Sequence, residues 1–423
     1  MPSAVTRVCL VVNHFPLRSQ TFIVRLVEAL TADASLECRV VVMKGRRALE
    51  DMVRPGYAAA VDASLVDAPL AGSAGRGRGL RALGWVAGSM LRAPLFTLRA
   101  LNVFAFGRRA LRLHVLRLAW TLRRLPPMDA IHGQFLWFGS DLAACRRLGV
   151  TGSARLFASV RGADATDSGQ TTDADLRRAH AGGVQLLPVS GSLAGVMQRR
   201  GYPPQLISVV PSGLPLAQFT FLPPGSRPES DPLRLLFVGR LTRKKGIDLA
   251  LRCVALMQQS AVACTLDVLG DGPEAAAARR LAVDLGLVQS VVFHGAVTGA
   301  VVRDYLAQCH IVLVPSLSGP DGNLEGIPNV AKEAMAAGAI VVASTHSGLP
   351  ELIEDGRTGF LFAEADLHAM QTALRRAIAA RPDWDRIAAD ARRFVEQQHS
   401  VAALTSALLM HYGGSTTAKQ ESR

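Results

Sequence analysis

The chain has 423 residues, with 47 Lys and Arg against 34 Asp and Glu for a formal net charge of +13, and 49% of it is apolar. That length exceeds one ordinary core and suits two domains of roughly 200 residues, while the apolar fraction excludes a disordered chain. No clean apolar run of about 18 residues occurs, which argues against a spanning helix, and Val8 to Val12 is too short for a secretory leader core.

The charge is uneven. Up to Thr220 there are 27 basic and 13 acidic residues; beyond it there are 20 and 21. Between Asp67 and Asp129 no acidic residue occurs, while Arg76 to Arg124 holds eleven arginines. Such a stretch expects a polyanionic partner: nucleic acid, anionic lipid or a phosphorylated substrate. The six cysteines (Cys9, Cys38, Cys145, Cys253, Cys264, Cys309) form no C-x-x-C pair and read as free buried thiols of a reducing compartment, with no zinc-ligand spacing.

In chain order, Arg7 to Asn13 is a continuous apolar run, as a buried parallel strand requires. A helix is expected over Ser19 to Leu30, with Ser19 as its cap, then a strand over Cys38 to Met43. This βαβ opening predicts a doubly wound sheet. Arg76 to Leu125 reads as two or three helices. Strands follow at Asp129 to Phe135, Leu156 to Val160, Leu186 to Val189 and Ile207 to Val210. The Pro/Ser/Gly-rich segment 220–232 is the linker candidate. A second strand–helix series then runs from Leu233 to Ala379, and Trp384 to Met410 is helical. The expected division is an N-terminal Rossmann-like domain over 1–219 with a basic helical insertion at 76–125, a linker at 220–232, and a C-terminal Rossmann-like domain over 233–394. A closing helix over 395–412 and a disordered tail over 413–423 complete it. The fold class is α/β: two doubly wound domains facing a central cleft, with ligands at the carboxyl ends of the strands.

Two segments carry chemistry. In Val238 to Asp248 (VGRLTRKKGID), Gly239 permits close backbone approach, Arg240 and Lys245 project from the loop, and a helix starts near Ile247. A cationic loop beside a helix N-terminus can hold a diphosphate; the plainer reading is a solvated basic loop. In Asp321 to Gly338 (DGNLEGIPNVAKEAMAAG), Glu325 precedes a helix and Glu333 lies on it. Gly326 to Pro328 let backbone N–H groups meet a sugar or phosphate, and Glu333 can accept two hydrogen bonds from a vicinal diol. Acids favoured by a helix dipole are the alternative.

These segments, with LGDGPE (269–274), VVFHGAV (291–297), VPS (314–316) and HSGLPELIEDGRTGFLF (346–362), occur in an order that resembles the C-terminal domain of a retaining family-4 glycosyltransferase of GT-B fold. NHFPLRSQTFI (13–23), IHGQF (131–135) and VSGSLAGVMQRRGYPPQLISVVPSGLPLAQF (189–219) resemble the first half of colanic-acid and other exopolysaccharide glycosyltransferases. The resemblance implies that Arg240 and Lys245 bind the donor diphosphate, Glu333 the ribose, and Glu325 the donor sugar. It implies that Gly326, Ile327 and Pro328 meet sugar and phosphate through their backbone, and that the base lies at Val292 to Gly295. Asn13 and Ser19 fall on the N-terminal cleft loop. The family's His before G-x-D is Arg161 here, its SETFI Glu is Gln20, and its paired His is reduced to His132, with Gln134 in the second place. Arg161 can hold an oxygen but cannot act as a general base. His132 is either a site residue or a structural donor. Glu325, Arg161 and His132 are thus the candidate catalytic set.

The activity implied is retaining hexosyl transfer from a nucleotide-diphosphate sugar to a polyprenyl-diphosphate-linked saccharide in exopolysaccharide or cell-surface polysaccharide synthesis, with no metal and no further cofactor. Asp173-Ala174-Asp175 and Asp383-Trp384-Asp385 read as helix starts rather than metal-binding D-x-D motifs. On a wheel of about 100° per residue, Arg109 to Leu125 puts Leu111, Val115, Leu118, Leu122 and Leu125 on one stripe. Leu113, Leu116 and Trp120 fall among the arginines of the other side. Either that side rests on an anionic bilayer, placing the protein on the cytoplasmic face of the membrane, or it packs on a neighbouring helix. An inactive sugar-binding relative, an epimerase or phosphorylase of the same fold, and a nucleic-acid binder are the competing readings; the last leaves the ordered motifs unexplained.

Overall fold

The computed structural model describes residues 5–17, 20–49, 52–72, 78–166, 169–227, 232–319 and 324–413. The chain forms two compact units. The first holds the residues up to Val189, Ala194–Gly213 and those from Leu404; the second holds Ser190–Leu193 and Leu214–Ala403.

In the first unit, β1 (Thr6–Phe15), β2 (Leu36–Arg46), β3 (Leu65–Asp67), β4 (Ala130–Gly133), β5 (Arg155–Val160) and β6 (Val184–Pro188) form one parallel sheet. Their order is β3-β2-β1-β4-β5-β6. Val8 to Val12 are fully buried, because a parallel sheet covered on both faces leaves no polar side to alternate with. The helix Thr21–Ala32 buries Ile23, Leu26, Val27 and Leu30. Its N-cap position is Gln20, which makes no side-chain cap; Ser19, the expected cap, lies outside the described residues.

The second unit repeats the plan with β7 (Leu233–Val238), β8 (Cys264–Leu269), β9 (Val291–Gly295), β10 (Ile311–Val314), β11 (Ile340–Ser344) and β12 (Phe360–Phe362), in the order β12-β11-β10-β7-β8-β9. Each sheet reverses direction of winding once, beside β1 in the first and beside β7 in the second. These are the switch points where open α/β sheets bind ligands.

Several boundaries differ from the sequence reading. Ile207 to Val210 is not a strand. Ser208 and Val210 donate to the carbonyls of Leu186 and Pro188, but the run is hemmed in by Pro203, Pro204 and Pro211 and forms only a single bridge, from Leu186 to Ile207. The passage between units falls at Leu214 rather than in 220–232, since Leu214 and Phe219 are already buried in the second core with Leu236 and Val312. The closing helix is two helices, Trp384–His399 and Val401–Tyr412. Ser400 separates them, and its hydroxyl accepts from the Ala403 N–H at 3.0 Å. Residues 414–423 of the expected tail lie outside the described residues. All six cysteines are buried and free.

The arginine stretch departs most. It forms Arg78–Arg92, Pro94–Ala100, Val103–Phe106, Arg108–Leu111 and His114–Leu122, so Arg109 to Leu125 is not one helix. Leu113 stands in the left-handed region at φ 59° and breaks it. With the wheel broken, Leu116 and Trp120 turn inward and are buried; the packed alternative for that face is the observed one. Arg117 is buried too and donates to the carbonyls of Pro69 and Met43. Arg109 bridges Asp141 at 3.1 Å and Asp175 at 3.0 Å. Leu111, placed on the apolar stripe, is exposed instead, and so are Leu80, Leu83, Leu91, Leu95, Leu98, Val103 and Phe104.

Gly246 joins the short turn Arg243–Lys245 to the helix Ile247–Gln259 at φ 68°, and a Cβ there would lie 2.0 Å from the Pro315 carbonyl oxygen. Gly246→Ala therefore meets both a left-handed backbone and a backbone clash. It should lower the stability of the second unit by about 1–3 kcal/mol, read as a lower urea midpoint at unchanged m-value.

Candidate functional site

At the switch point of the second sheet, β7 ends at Val238 and the chain turns through Gly239, against which the Lys245 stem lies. The Lys245 Nζ reaches Glu325 Oε2 at 2.7 Å, and Lys244 Nζ reaches Oε1 at 3.3 Å. Arg240 is exposed at the tip of the same loop. Burial alone would push the Glu325 carboxyl up, but Lys245 and then Lys244 outweigh it and hold it below the usual carboxylate range. The stabilisation from this pair is therefore present above the ordinary carboxylate range and is lost as pH falls through the depressed value.

Glu325 is fixed through its backbone. Its carbonyl accepts from the Ser347 hydroxyl, and its N–H faces the buried His346 Nε2 at 3.5 Å. His346 Nδ1 in turn meets Glu364 Oε2 at 3.0 Å, and Glu364 also accepts from the Ser318 N–H. Lys244, Ser347, His346 and Glu364 were not singled out by the sequence reading. The HSG of 346–348 lay inside a quoted motif, but nothing in its spacing assigned it a role.

The helix Asn329–Ala337 follows, with Gly326 and Pro328 buried before it and Ile327 half-buried. Glu333 lies on its second turn. Burial pushes its carboxyl up, against the pull of Lys332, Arg303 and Lys245. Lys245 thus acts on both members of the Glu325/Glu333 pair. At the end of β9, His294 Nε2 bonds Asp267 at 2.7 Å, and its ring packs on Tyr305 at 4.9 Å. This fixes the 292–295 strand end expected to meet a base.

In the first unit, the loop after β5 carries Arg161. The Asp164 carboxylate accepts from the N–H groups of Arg161 and Gly162 at 2.9 Å each and of Leu136 at 3.0 Å. Burial raises the Asp164 carboxyl, opposed by these bonds. The Arg161 guanidinium lies over the Phe22 ring at 4.2 Å and donates to the Gln134 carbonyl at 3.1 Å and to its Oε1 at 2.8 Å. Burial lowers its pKa to about 10, so it stays cationic at neutral pH.

His132 is not a free catalytic group. It is 1% exposed, and both ring nitrogens are engaged, with Tyr412 Oη at 2.7 Å and Ser159 Oγ at 2.9 Å. Burial, then Arg161, lowers its pKa to about 3; it is a neutral internal link. Asn13 lies within β1, half-buried. Its Oδ1, with Gln134 Nε2 and Trp137 Nε1, is among the buried polar atoms left without a protein partner among the described residues. The D-x-D at 173–175 caps a helix: the Thr172 hydroxyl and the Asp175 carboxylate satisfy each other's backbone N–H groups.

Removing both lysines from Glu325 leaves burial alone to act. In Lys244→Ala/Lys245→Ala the Glu325 carboxyl should titrate above the ordinary carboxylate range instead of below it. The check is its side-chain ¹³C shift against pH, assigned with Glu325→Gln; an unchanged midpoint would remove the ion pair as its cause.

Residues 232–380 match the family described as Glycosyl transferases group 1. A putative colanic acid biosynthesis glycosyltransferase of Salmonella typhimurium, WcaL, is 36% identical over 203 residues, 48% of this chain and 49% of its own length. The amylovoran biosynthesis glycosyltransferase AmsK of Erwinia amylovora is 33% identical over 224 residues, 53% and 54% of the two chains. The chain thus spans about half the length of the curated relatives it matches. Among solved structures, Anabaena HepE in complex with UDP superposes with a TM-score of 0.68 at 16% identity, over 96% of this chain and 99% of that one. The second unit is thus similar to the glycosyl transferases group 1 family over residues 232–380, and the chain has the GT-B glycosyltransferase fold.

Proposed function

We propose that the protein is a retaining hexosyltransferase that moves a sugar from a nucleoside-diphosphate sugar to a lipid-linked saccharide in exopolysaccharide synthesis. The observation that carries this reading is the Lys245–Glu325 pair at 2.7 Å on the switch point of the second sheet, with Glu333 on the adjoining helix. A donor diphosphate replaces Glu325 as the partner of Lys245, with Arg240 as a second cation. Glu333 accepts from the ribose hydroxyls, and Glu325, once released, faces the sugar. The backbone of Gly326, Ile327 and Pro328 closes on sugar and distal phosphate. UDP in HepE supports a nucleotide on this fold.

During transfer the bond from the anomeric carbon to the phosphate oxygen breaks, and a bond to the acceptor oxygen forms on the same face. The acceptor proton passes to the departing diphosphate. The chain's share is to hold the charge that develops on that leaving group, which Lys245, Arg240 and a helix N-terminus supply without requiring a metal. Arg161 holds an oxygen of donor or acceptor.

The membrane partner is re-sited. No helix among the described residues is long and apolar enough to cross a bilayer. The exposed Leu80, Leu83, Leu91, Leu95, Leu98 and Phe104 stand among Arg81, Arg92 and Arg99, in a stretch without a single acidic residue. Leucine beside arginine with no acid suits an anionic bilayer surface, and such a surface is where a lipid-linked acceptor on the cytoplasmic face would be met.

A thermal-shift screen of UDP, GDP and ADP sugars should stabilise the protein with at least one of them. Lys245→Ala and Glu333→Ala should stay folded, lose that shift and drop kcat/KM by about a hundredfold or more; normal turnover by both refutes the assignment. Co-sedimentation with anionic vesicles should fall with salt and in Leu95→Ser/Leu98→Ser/Phe104→Ser, and equal binding to neutral vesicles would sink the membrane reading.

A further inference from the structure

Tyr412, on the last described helix, lies 280 residues from His132 in sequence, yet its hydroxyl is 2.7 Å from the His132 Nδ1. Tyr412 is 1% exposed, its helix neighbour Leu408 is equally buried, and both belong to the first hydrophobic core. From His132 the chain of contacts continues: Nε2 to Ser159 Oγ at 2.9 Å, and Ser159 Oγ to Arg161 Nη2 at 3.3 Å. Arg161 Nη1 makes no hydrogen bond among the described residues.

The direction of each bond follows from the protons available. An arginine only donates, so Ser159 Oγ accepts from Nη2. A neutral imidazole has one N–H and one acceptor nitrogen. If His132 carried its proton on Nδ1, that N–H would point at the Tyr412 oxygen. The Tyr412 proton would then be buried with no other acceptor among the described residues, which is costly. With the proton on Nε2, Tyr412 donates to Nδ1 and His132 donates to Ser159, and the one proton left over is that of the Ser159 hydroxyl, which lines a cavity, rather than that of the enclosed Tyr412. Ser159 then accepts twice, and its own proton turns to the small cavity lined by Phe22, Leu26, Arg161 and Ser212.

We infer that Tyr412, His132 and Ser159 are positioning residues for Arg161: the last helix sets the His132 tautomer, and Ser159 with Gln134 locks the guanidinium so that Nη1 alone is offered to a ligand. The Phe22 ring fixes the plane of the fork and the Gln134 carbonyl and amide fix its rotation, so the relay decides which N–H groups remain free. This rests on the proposed role of Arg161 in transfer, but its geometry can be read without turnover.

The test uses the full chain labelled with ¹⁵N-histidine and ¹⁵N-arginine at neutral pH. The His132 ring signals, assigned by their loss in His132→Asn, should show the Nε2–H tautomer. Arg161 should show resolved Nη protons from hindered rotation. In Tyr412→Phe the His132 Nδ1 resonance should move to the value of an unbonded nitrogen. In Ser159→Ala the Arg161 Nη protons should average, and Ser159→Thr, which keeps the hydroxyl, should restore them. With a nucleotide sugar from the screen above, Tyr412→Phe and Ser159→Ala should lower kcat about tenfold at unchanged donor KM, with Ser159→Thr near wild type. An Nδ1–H tautomer in the wild type would overturn the relay, as would Tyr412→Phe and Ser159→Ala spectra that match it in ring and guanidinium signals. Absence of turnover in the wild type counts against transfer, and the spectra then decide the relay.

Discussion

A strand buried on both faces cannot spare polar atoms along its length, so its chemistry is forced to its ends. This constraint governs both sheets. Val8 to Val12 and Ile311 to Val314 are sealed from solvent, and their backbone groups are consumed by parallel ladders. Polar side chains collect where the ladders stop: Asn13 near the end of β1, Gln134 and Arg161 beyond β4 and β5, and Arg240, Lys245 and the Ser316–Ser318 segment beyond β7 and β10. Where a sheet reverses its winding, helices leave from opposite faces and the strand ends are least covered. The candidate site residues of each unit sit beside that reversal.

The electrostatics at the two edges differ in kind. In the second unit the cations are compensated by a carboxylate: Glu325 pairs with both Lys244 and Lys245. A half-buried lysine without such a partner would carry a desolvation penalty, which Glu325 offsets. In the first unit the cation is held by neutral acceptors and a ring face. Arg161 has Gln134 and Ser159 as hydrogen-bond partners and no carboxylate within ion-pair distance among the described residues.

The sheets and the second-unit site were legible because they rest on local signals. Continuous apolar runs announced β1, β7, β10 and β11, and VGRLTRKKGID placed Lys245 just before a helix, as found. What escaped depended on tertiary partners. β3 and β12 are three residues each and too short to show a period. Ser19 looked like a cap, but the chain enters the helix at Gln20. His132 looked like a site residue at a strand end; only the arrival of Tyr412, from the far end of the chain, makes it an internal link. His346 and Glu364 support Glu325 from 21 and 39 positions away, a distance at which spacing carries no information.

The arginine stretch shows how a wheel fails when the helix it assumes is absent. One residue, Leu113, enters the left-handed region, and the registry beyond it is reset. The leucines and tryptophan that lay among arginines then face a core, where Trp120 meets Trp85 and Phe96 and Arg123 and Arg124 cover the rings from outside. Part of the positive charge is thereby removed from the surface: Arg117 satisfies buried carbonyls, and Arg109 neutralises Asp141 and Asp175. The +13 balance overstates what a partner can feel. The exposed apolar side chains of the stretch run from Leu80 to Leu111, with arginines between them.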